Sequence, residues 1–452
     1  MTALDLSRIQ GFVVRGYRLS LARYLFLRID DVARAAAWLA EITEDVLTAA
    51  PWSQKPESGV NVAFSYSGLR ALALPDASLA GFPEEFRQGM AARAKLLDDS
   101  GDSAPENWEG GFGTSAIHVL VMISAMDRAA LDAHDRRLRA DIERSGGLTV
   151  LYDELGAALP DGVEHFGYAD GFAQPSIEGS GLPALPGQGA VIEGGGWRPL
   201  RAGEFILGYL DEEGVLPAAP APAELSTNGS YLVYRKLHQH VAAFRKQLAH
   251  AAKLYPGGEE LLAAKIVGRW RDGTPLALSP ERSDPSIARD ERRNNAFSYG
   301  DDADGLACPM GAHVRRANPR ASLPFEGKLV NRHRLIRRGI PYGEPLSPGA
   351  EDDGRERGVI FMCLQASIAR QFEFVQSQWF NGGNTFALGK DQDVLLGPQD
   401  GTPPNKMTVP GDPPFFAGPL SRVVSVRGGE YFFVPGINGL QYLAAVAGGG
   451  AA

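Results

Sequence analysis

Cysteine is scarce in this chain: 452 residues contain two, Cys308 and Cys363. They form no Cys-x-x-Cys pair and no Cys-x-x-Cys-His, so covalent attachment of a prosthetic group through thioethers is excluded and a disulfide is not needed. Long apolar runs are missing as well. No stretch approaches the length and polarity of a membrane-spanning helix, and no membrane association is expected. An excess of positive charge is also lacking. The net charge is -9, with Lys and Arg scattered among the acids, whereas nucleic-acid binding needs a concentrated basic face. The N-terminus offers Asp5, Arg8, Arg15, Arg18 and Arg23 before a short apolar run at 24–27. That is neither a secretory apolar region nor a start-proximal twin-arginine signal, and a cytoplasmic location is expected.

What is present is the composition of a globular protein, 44% apolar and 22% charged, in a chain long enough for two domains. The apolar, β-prone run 24–29 leads to Asp30 and Asp31, read as caps of an alanine-rich helix over 32–49. Val60, Val62 and Phe64 alternate as in a half-buried strand. A helix is expected at 83–98 and a strand at 117–123; Asp127 caps a further helix to about Glu143, and 148–152 supplies a fourth strand. This is the split βαβ order, in which two crossover helices cover one face of a four-stranded antiparallel sheet. After a Gly/Pro-rich passage at 181–222 the order restarts, with strands at 231–234, 359–364 and 430–434 and helices at 241–255 and 368–379. The reading is an α+β protein of two ferredoxin-like domains, 1–200 and 201–452. The segment 269–358 interrupts the second, and loops of that length are usually functional or disordered. The tail 447–452 is expected to fray.

Three segments can carry chemistry. Gly167-Tyr-Ala-Asp170-Gly171 brackets one carboxylate with two glycines, which lets backbone approach a flat ligand, although such a stretch is most often only a turn. His313 lies in Cys308-Pro-Met-Gly-Ala-His-Val-Arg-Arg-Ala-Asn-Pro-Arg320. A neutral imidazole is the common proximal ligand of haem iron, and the plainer reading is a surface or core histidine. Cys308 is a rival ligand ranked below it. In Asn331-Arg-His-Arg-Leu-Ile-Arg337-Arg-Gly-Ile-Pro341-Tyr-Gly343 most cations read as a solvated face, but Arg337 follows two apolar residues and precedes a turn that can hold it inward beside an anion or peroxide. Arg315, Arg320, His333 and Arg334 are candidates for haem propionates. In the late helix Ile368, Phe372, Val375 and Trp379 form a packing stripe, and Glu373 is either an exposed acid or the acceptor of the proximal histidine's second N–H.

Together and in this order, these segments resemble the dye-decolorizing peroxidase family, in particular its longer members. Gly167-Tyr-Ala-Asp-Gly171 is similar to the family's Gly-x-x-Asp-Gly motif, Ala312 to Arg320 to its proximal-histidine segment, and Arg337-Arg-Gly-Ile-Pro-Tyr-Gly343 to the stretch bearing its distal arginine. Similarity continues through Gly358-Val-Ile-Phe-Met-Cys-Leu-Gln365 and Gly428-Gly-Glu-Tyr-Phe-Phe-Val-Pro435. The resemblance implies two ferredoxin-like domains with non-covalent haem b between them, held chiefly by the second. It implies His313 as axial iron ligand, Asp170 and Arg337 as the catalytic pair, and Val359 and Phe361 on the distal pocket, the valine standing where the family usually has a larger aliphatic residue. Glu373 as partner of His313 is a weaker transfer.

On this reading hydrogen peroxide loses a proton to Asp170, Arg337 stabilises the charge that builds as the O–O bond breaks, and a ferryl state takes electrons singly from aromatic dyes or phenols. An aspartate base predicts an acidic optimum. Large dyes cannot easily reach a buried iron, so Trp379, Tyr342 and Tyr431 are conceivable relays. The main alternative is a non-catalytic haem-binding or haem-transfer protein. A non-haem metal site built on His238-Gln-His240 is another, and an interaction module without pigment a third. Assembly into an oligomer stays open.

Overall fold

The computed structural model describes residues 3–193, 195–399 and 405–449. Strand β1 (Leu21–Ile29) runs into helix α1 (Val32–Asp45), whose start is fixed by Asp31 accepting the Arg34 N–H at 3.0 Å. Strand β2 (Ser58–Phe64) and strand β3 (Val119–Ala125) follow; then helix α2 (Arg128–Ser145), capped by Asp127 through the Ala130 N–H, and strand β4 (Leu148–Ala157). Side-chain oxygens at these two caps satisfy amides that a helix start otherwise leaves unpaired. The four strands pair antiparallel in the order β4-β1-β3-β2.

The second unit repeats the plan with strand β5 (Ser230–Gln239), helix α3 (Val241–Ala252), helix α4 (His313–Ala317) and the short strands β6 (Ile336–Arg337) and β7 (Ile340–Tyr342). Strand β8 (Gly358–Gln365), helix α5 (Ala369–Glu373 and Val375–Phe380), strand β9 (Val424–Val434) and helix α6 (Ile437–Ala447) complete it. Its order is β9-β5-β8-β6, with β7 also on β8. Fourth, first, third, second is the same order as in the first unit, so the duplication read from element order alone is present in the topology.

The two sheets join where Phe433 of β9 pairs with Phe64 of β2. On the far side Gly156 of β4 lies against Ile340 of β7, so close that a Cβ there would come within 2.3 Å of the Ile340 side chain. The result is a barrel-like α+β body filled from both sheets. Phe26 meets Phe112, Tyr234 and Phe432 with ring centroids 4.9, 5.0 and 6.5 Å apart. Strand β2, expected to be half-buried, is therefore buried on both faces: Asn61 and Ala63 are as enclosed as Val60, Val62 and Phe64.

Two helices differ from expectation in kind, and the one expected over 32–49 ends at Asp45. The single helix expected at 83–98 is broken into Glu84–Gln88, Ala91–Arg93 and Ala94–Leu97. Gly89 takes φ 75° and sits 3.2 Å, at its Cβ position, from the Glu430 carboxylate that receives the Met90 N–H, a turn the regular helix cannot make. The helix expected at 368–379 exists but is wound wide, with Glu373 N bonded to Ile368 O and Asn381 N to Gln376 O, five residues back. Of the tail expected to fray, Ala447 closes α6, and 450–452 lie outside the described residues.

Candidate active site

One cavity gathers the three residues singled out from the sequence. It lies against one face of the second sheet, where Leu237 and Gln239 of β5 and Val359 and Phe361 of β8 project, and it is closed by α4, α5 and the loop bearing Asp170. His313, Asp170 and Arg337 all line it.

His313 is the first residue of α4, a short turn that starts after Ala312 and sets the imidazole beside the cavity. Its Nδ1 lies 3.1 and 3.2 Å from the two carboxylate oxygens of Asp393. That carboxylate is fully buried and also accepts the N–H groups of Leu395 at 3.0 Å and Leu396 at 2.8 Å, so it is fixed in place. Burial would raise the Asp393 carboxyl, yet His313, Arg316 and the Leu396 amide hold it below the ordinary aspartate value. An ionised partner at Nδ1 selects the tautomer whose lone pair is on Nε2, the nitrogen for which no hydrogen bond is made among the described residues. Phe380 stacks on the imidazole, centroids 5.1 Å apart and planes 11° off parallel.

Glu373 is therefore not the partner of His313. Its carboxylate is taken on both oxygens by Arg93, Nε and Nη2 each at 2.8 Å, and also receives the Tyr431 hydroxyl at 2.9 Å. Asp393 was missed because it lies 80 residues from His313. Its one local signal is an acid immediately before Val394-Leu395-Leu396, a carboxylate entering an apolar run.

Asp170 is presented between two glycines with positive φ, Gly167 at 94° and Gly171 at 90°. Arg337 donates from Nη1 to Asp170 at 3.1 Å and from Nη2 to the Phe172 carbonyl at 2.7 Å, while its own N–H goes to Gln174. The Asp170 side chain is 58% accessible, and the surfaces it lines are cavity walls. Enclosure by protein pushes its carboxyl up, but Arg337, the Gly171 N–H and the nearby His313 together bring it below the usual value. A carboxylate that stays ionised next to a fixed guanidinium is suited to accepting a proton from a ligand between them.

The propionate candidates separate. Arg334 and Arg320 line the cavity, and Arg334 Nη2 is buried without a hydrogen bond, as is Oδ1 of Asn318, which lines the same cavity. Burial, with Arg320 and Arg337 close by, pushes the Arg334 guanidinium down to about 9, the sign of a cation short of an anion. Arg320 already spends Nη1 on the Asn295 and Phe297 carbonyls. Arg315 does not fit: it is fully buried away from the cavity, with its donors on Ser322, Asp302 and Cys308. His333 does not fit either, because Nδ1 goes to the Arg370 carbonyl and the ring stacks on Phe374 at 4.0 Å. Cys308 sits in the core behind the cavity, where burial pushes its thiol up to about 11.

His238 and His240 meet edge to face at 4.5 Å and are already engaged by Glu356 and Ser425; no cluster of three possible metal ligands occurs among the described residues. Trp379, Tyr342 and Tyr431 are all buried, so none is a surface relay. The cavity fits a haem by its own chemistry. An imidazole nitrogen faces it with the opposite nitrogen tied to a carboxylate, apolar side chains (Phe361, Phe372, Val375, Leu396) form its walls, and an unpaired guanidinium stands ready for an acidic group.

Fold and site together define an α+β-barrel peroxidase. Residues 8–153 match the family model described as the DyP dimeric alpha+beta barrel domain, and residues 212–388 match that of the Dyp-type peroxidase C-terminal domain. Dye-decolorizing peroxidase msp1 of Mycetinis scorodonius is 31% identical, the match covering 98% of this chain and 88% of that protein. Multifunctional dye peroxidase DyP2 of an Amycolatopsis species is 30% identical over 98% of this chain and 96% of its own. The crystal structure of the decolorizing peroxidase from Auricularia auricula-judae superposes with a TM-score of 0.84 at 27% identity, covering 98% of this chain and 100% of that one. A dye-decolorizing peroxidase in complex with 2,6-dimethoxyphenol gives 0.83 at 29%, with 98% and 100% covered. The chain belongs to the dye-decolorizing peroxidase family and is an oxidoreductase, which sets aside the non-catalytic carrier and the pigment-free module. No helix among the described residues is long and apolar enough to cross a membrane.

Proposed function

We propose that this enzyme is a haem b peroxidase that reduces hydrogen peroxide and oxidises phenols or dyes one electron at a time. The observation that carries the reading is that His313, backed by Asp393, shares a cavity with Asp170 and Arg337. His313 Nε2 would hold the iron, and Arg334 Nη2 one propionate. The bound haem would supply the redox chemistry, storing the oxidising equivalents of peroxide until reductants return the electrons. Asp170, ionised, accepts the proton of the incoming peroxide and returns it to the departing oxygen, so no net proton is consumed at this group in cleavage. Arg337 holds the Asp170 carboxylate in position and faces the oxygen on which negative charge grows. Val359 and Phe361 line the same space with apolar surface. Phenolic substrates are proposed by analogy with the relative bound to 2,6-dimethoxyphenol.

We further propose a division near residue 200. Its support is that β4 ends at Ala157, β5 begins at Ser230 and the two family matches fall on either side. The cytoplasmic location is a proposal as well, supported by two cysteines that are both unbridged. The direct test of the catalytic reading is an absorption spectrum of purified holoenzyme before and after one equivalent of peroxide. A histidine-ligated ferric spectrum that converts to an oxidised form and returns on adding 2,6-dimethoxyphenol is expected; a pigment inert to peroxide refutes it.

A further inference from the structure

The cavity holding His313 is not the only space that Asp170 and Arg337 face. A second one of about 730 Å³ lies beyond them, and Glu164, Asp170, Arg337 and Val359 line both. It reaches into the end of the barrel, where Tyr24 of β1 and Met122 and Ser124 of β3 approach Ile336, Ile340 and Met362 of the second unit. Its rim is open to solvent: Ala158 is exposed, Leu182 is 42% exposed and the Arg18 side chain 83%.

Size and charge define what such a space holds. Hydrogen peroxide is little larger than a water molecule, whose share of liquid volume is about 30 Å³. The cavity is far larger than that and falls in the range of roughly 300–1,000 Å³ that encloses small organic ligands. Two of the four guanidiniums that line it are paired with carboxylates and the other two are held by carbonyls. Arg18 pairs with Glu291 at 2.9 Å and Arg337 with Asp170 at 3.1 Å; Arg338 donates to the carbonyls of Phe12 and Arg337, and Arg15 to that of Ala49. Three carboxylates, Glu164, Asp170 and Glu291, line the same space and oppose an anionic ligand, whereas a neutral apolar one would be covered by Tyr24, Ile336, Ile340 and Met362.

We propose that this cavity receives the carbon skeleton of a neutral organic hydroperoxide, the –OOH group reaching past Val359 to lie between Asp170 and Arg337. The inference rests on the peroxidase reading above and extends it to a second class of oxidant. The reaction balances as ROOH + 2 ArOH → ROH + H2O + 2 ArO•. The O–O bond breaks and two phenols each give up one electron and one proton. The oxygen bound to carbon leaves as the alcohol and the other as water. Asp170 takes the hydroperoxide proton and delivers it to the alkoxide oxygen, and the neutral alcohol returns into the apolar space.

The test uses holoenzyme, cumene hydroperoxide and 2-phenyl-2-propanol, the alcohol it leaves. Calorimetric titration should show the alcohol binding, and Ser124→Phe or the rim substitution Ala158→Phe should weaken it by about tenfold, on the order of 1.4 kcal/mol. The ratio of kcat/KM for cumene hydroperoxide to that for hydrogen peroxide should fall by a similar factor in either variant. Ala158 is exposed, so its variant keeps the test alive if Ser124→Phe does not fold. An enzyme that turns over hydrogen peroxide but neither binds the alcohol nor uses cumene hydroperoxide overturns this proposal alone. So does a ratio unmoved by both substitutions. Failure with both oxidants overturns the peroxidase reading and this one together.

Discussion

At the scale of single residues, the roles proposed for Asp170 and Arg337 follow from what each side chain can do with a proton. Arg337 spends one donor on Asp170 and another on the Phe172 carbonyl, so its guanidinium would be preorganised for the charge that forms during cleavage. Arg337→Leu should slow reaction with peroxide by at least about 100-fold, the usual cost of one donor at a developing charge, while the resting spectrum stays that of a histidine-ligated haem. Rapid mixing of the variant with peroxide checks both. As the proposed base, Asp170 would act only when ionised. Its folded value lies below the ordinary 3.8, so the base is present above that value and is lost as pH falls through it. The rate of the peroxide step should hold through the weakly acidic range and decline only below about pH 4; a decline centred near neutrality would assign the base to another group. On the other side of the cavity, Asp393→Asn keeps a hydrogen-bonding group at His313 Nδ1 but removes its negative charge. The ferric/ferrous midpoint potential should then rise and peroxide reactivity drop about 10- to 100-fold with haem retained, which potentiometry and rapid mixing measure. A single sequence did not disclose this carboxylate, because its relation to His313 is made only by the fold. Arg315 and Arg334 were likewise indistinguishable in sequence: both sit in basic stretches, and only the buried acceptors around the first reveal that its donors are already committed.

At the scale of elements, the regular parts of both sheets could be read from alternation and caps because their determinants are local: Asp31 and Asp127 bond amides three residues on. The irregular parts could not. Gly89 breaks its helix to let Glu430, 341 positions later, receive the Met90 amide, and the wide winding of α5 redirects side chains that a 3.6-residue period would place elsewhere. Glu373 shows the consequence. Only 2% of its side chain is exposed, and it clasps Arg93 from the broken helix, tying α5 of the second unit to the first. Arg93→Ala leaves a buried carboxylate with the Tyr431 hydroxyl alone, and should destabilise the protein by about 3 kcal/mol, as loss of one partner of a buried ion pair does. Denaturant unfolding of the variant measures this. The haem spectrum should not change, since nothing of this pair contacts His313; a stable protein with an altered iron spectrum would restore Glu373 to the proximal side.

At the scale of the whole molecule, the two units are topological copies but not separable bodies. After β9 the chain does not stop on its own sheet. Gln10, near the start of the chain, gives its side-chain amide to the Pro435 and Val62 carbonyls, and Ile437 N bonds Arg8 O. Helix α6 then lies against α1 of the first unit, with Leu440 and Leu443 buried. A division near residue 200 therefore separates sequence segments whose last helix belongs to the packing of the other half. Ending the chain after Gly436 would uncover those two contacts together with the apolar face of α1, including Ala35 and Ala36. At about 1.5–3 kcal/mol for each fully buried leucine, the loss is roughly 3–6 kcal/mol, against a total stability of about 5–15 kcal/mol for a folded protein. Because the uncovered surface is on the first unit while the deleted residues come from the end of the second, both should melt together and earlier. Calorimetry of the truncated holoenzyme should show one transition at reduced temperature with early loss of the haem band; two transitions, the first unit's unchanged, would mean that α6 is an appendage and the halves fold independently.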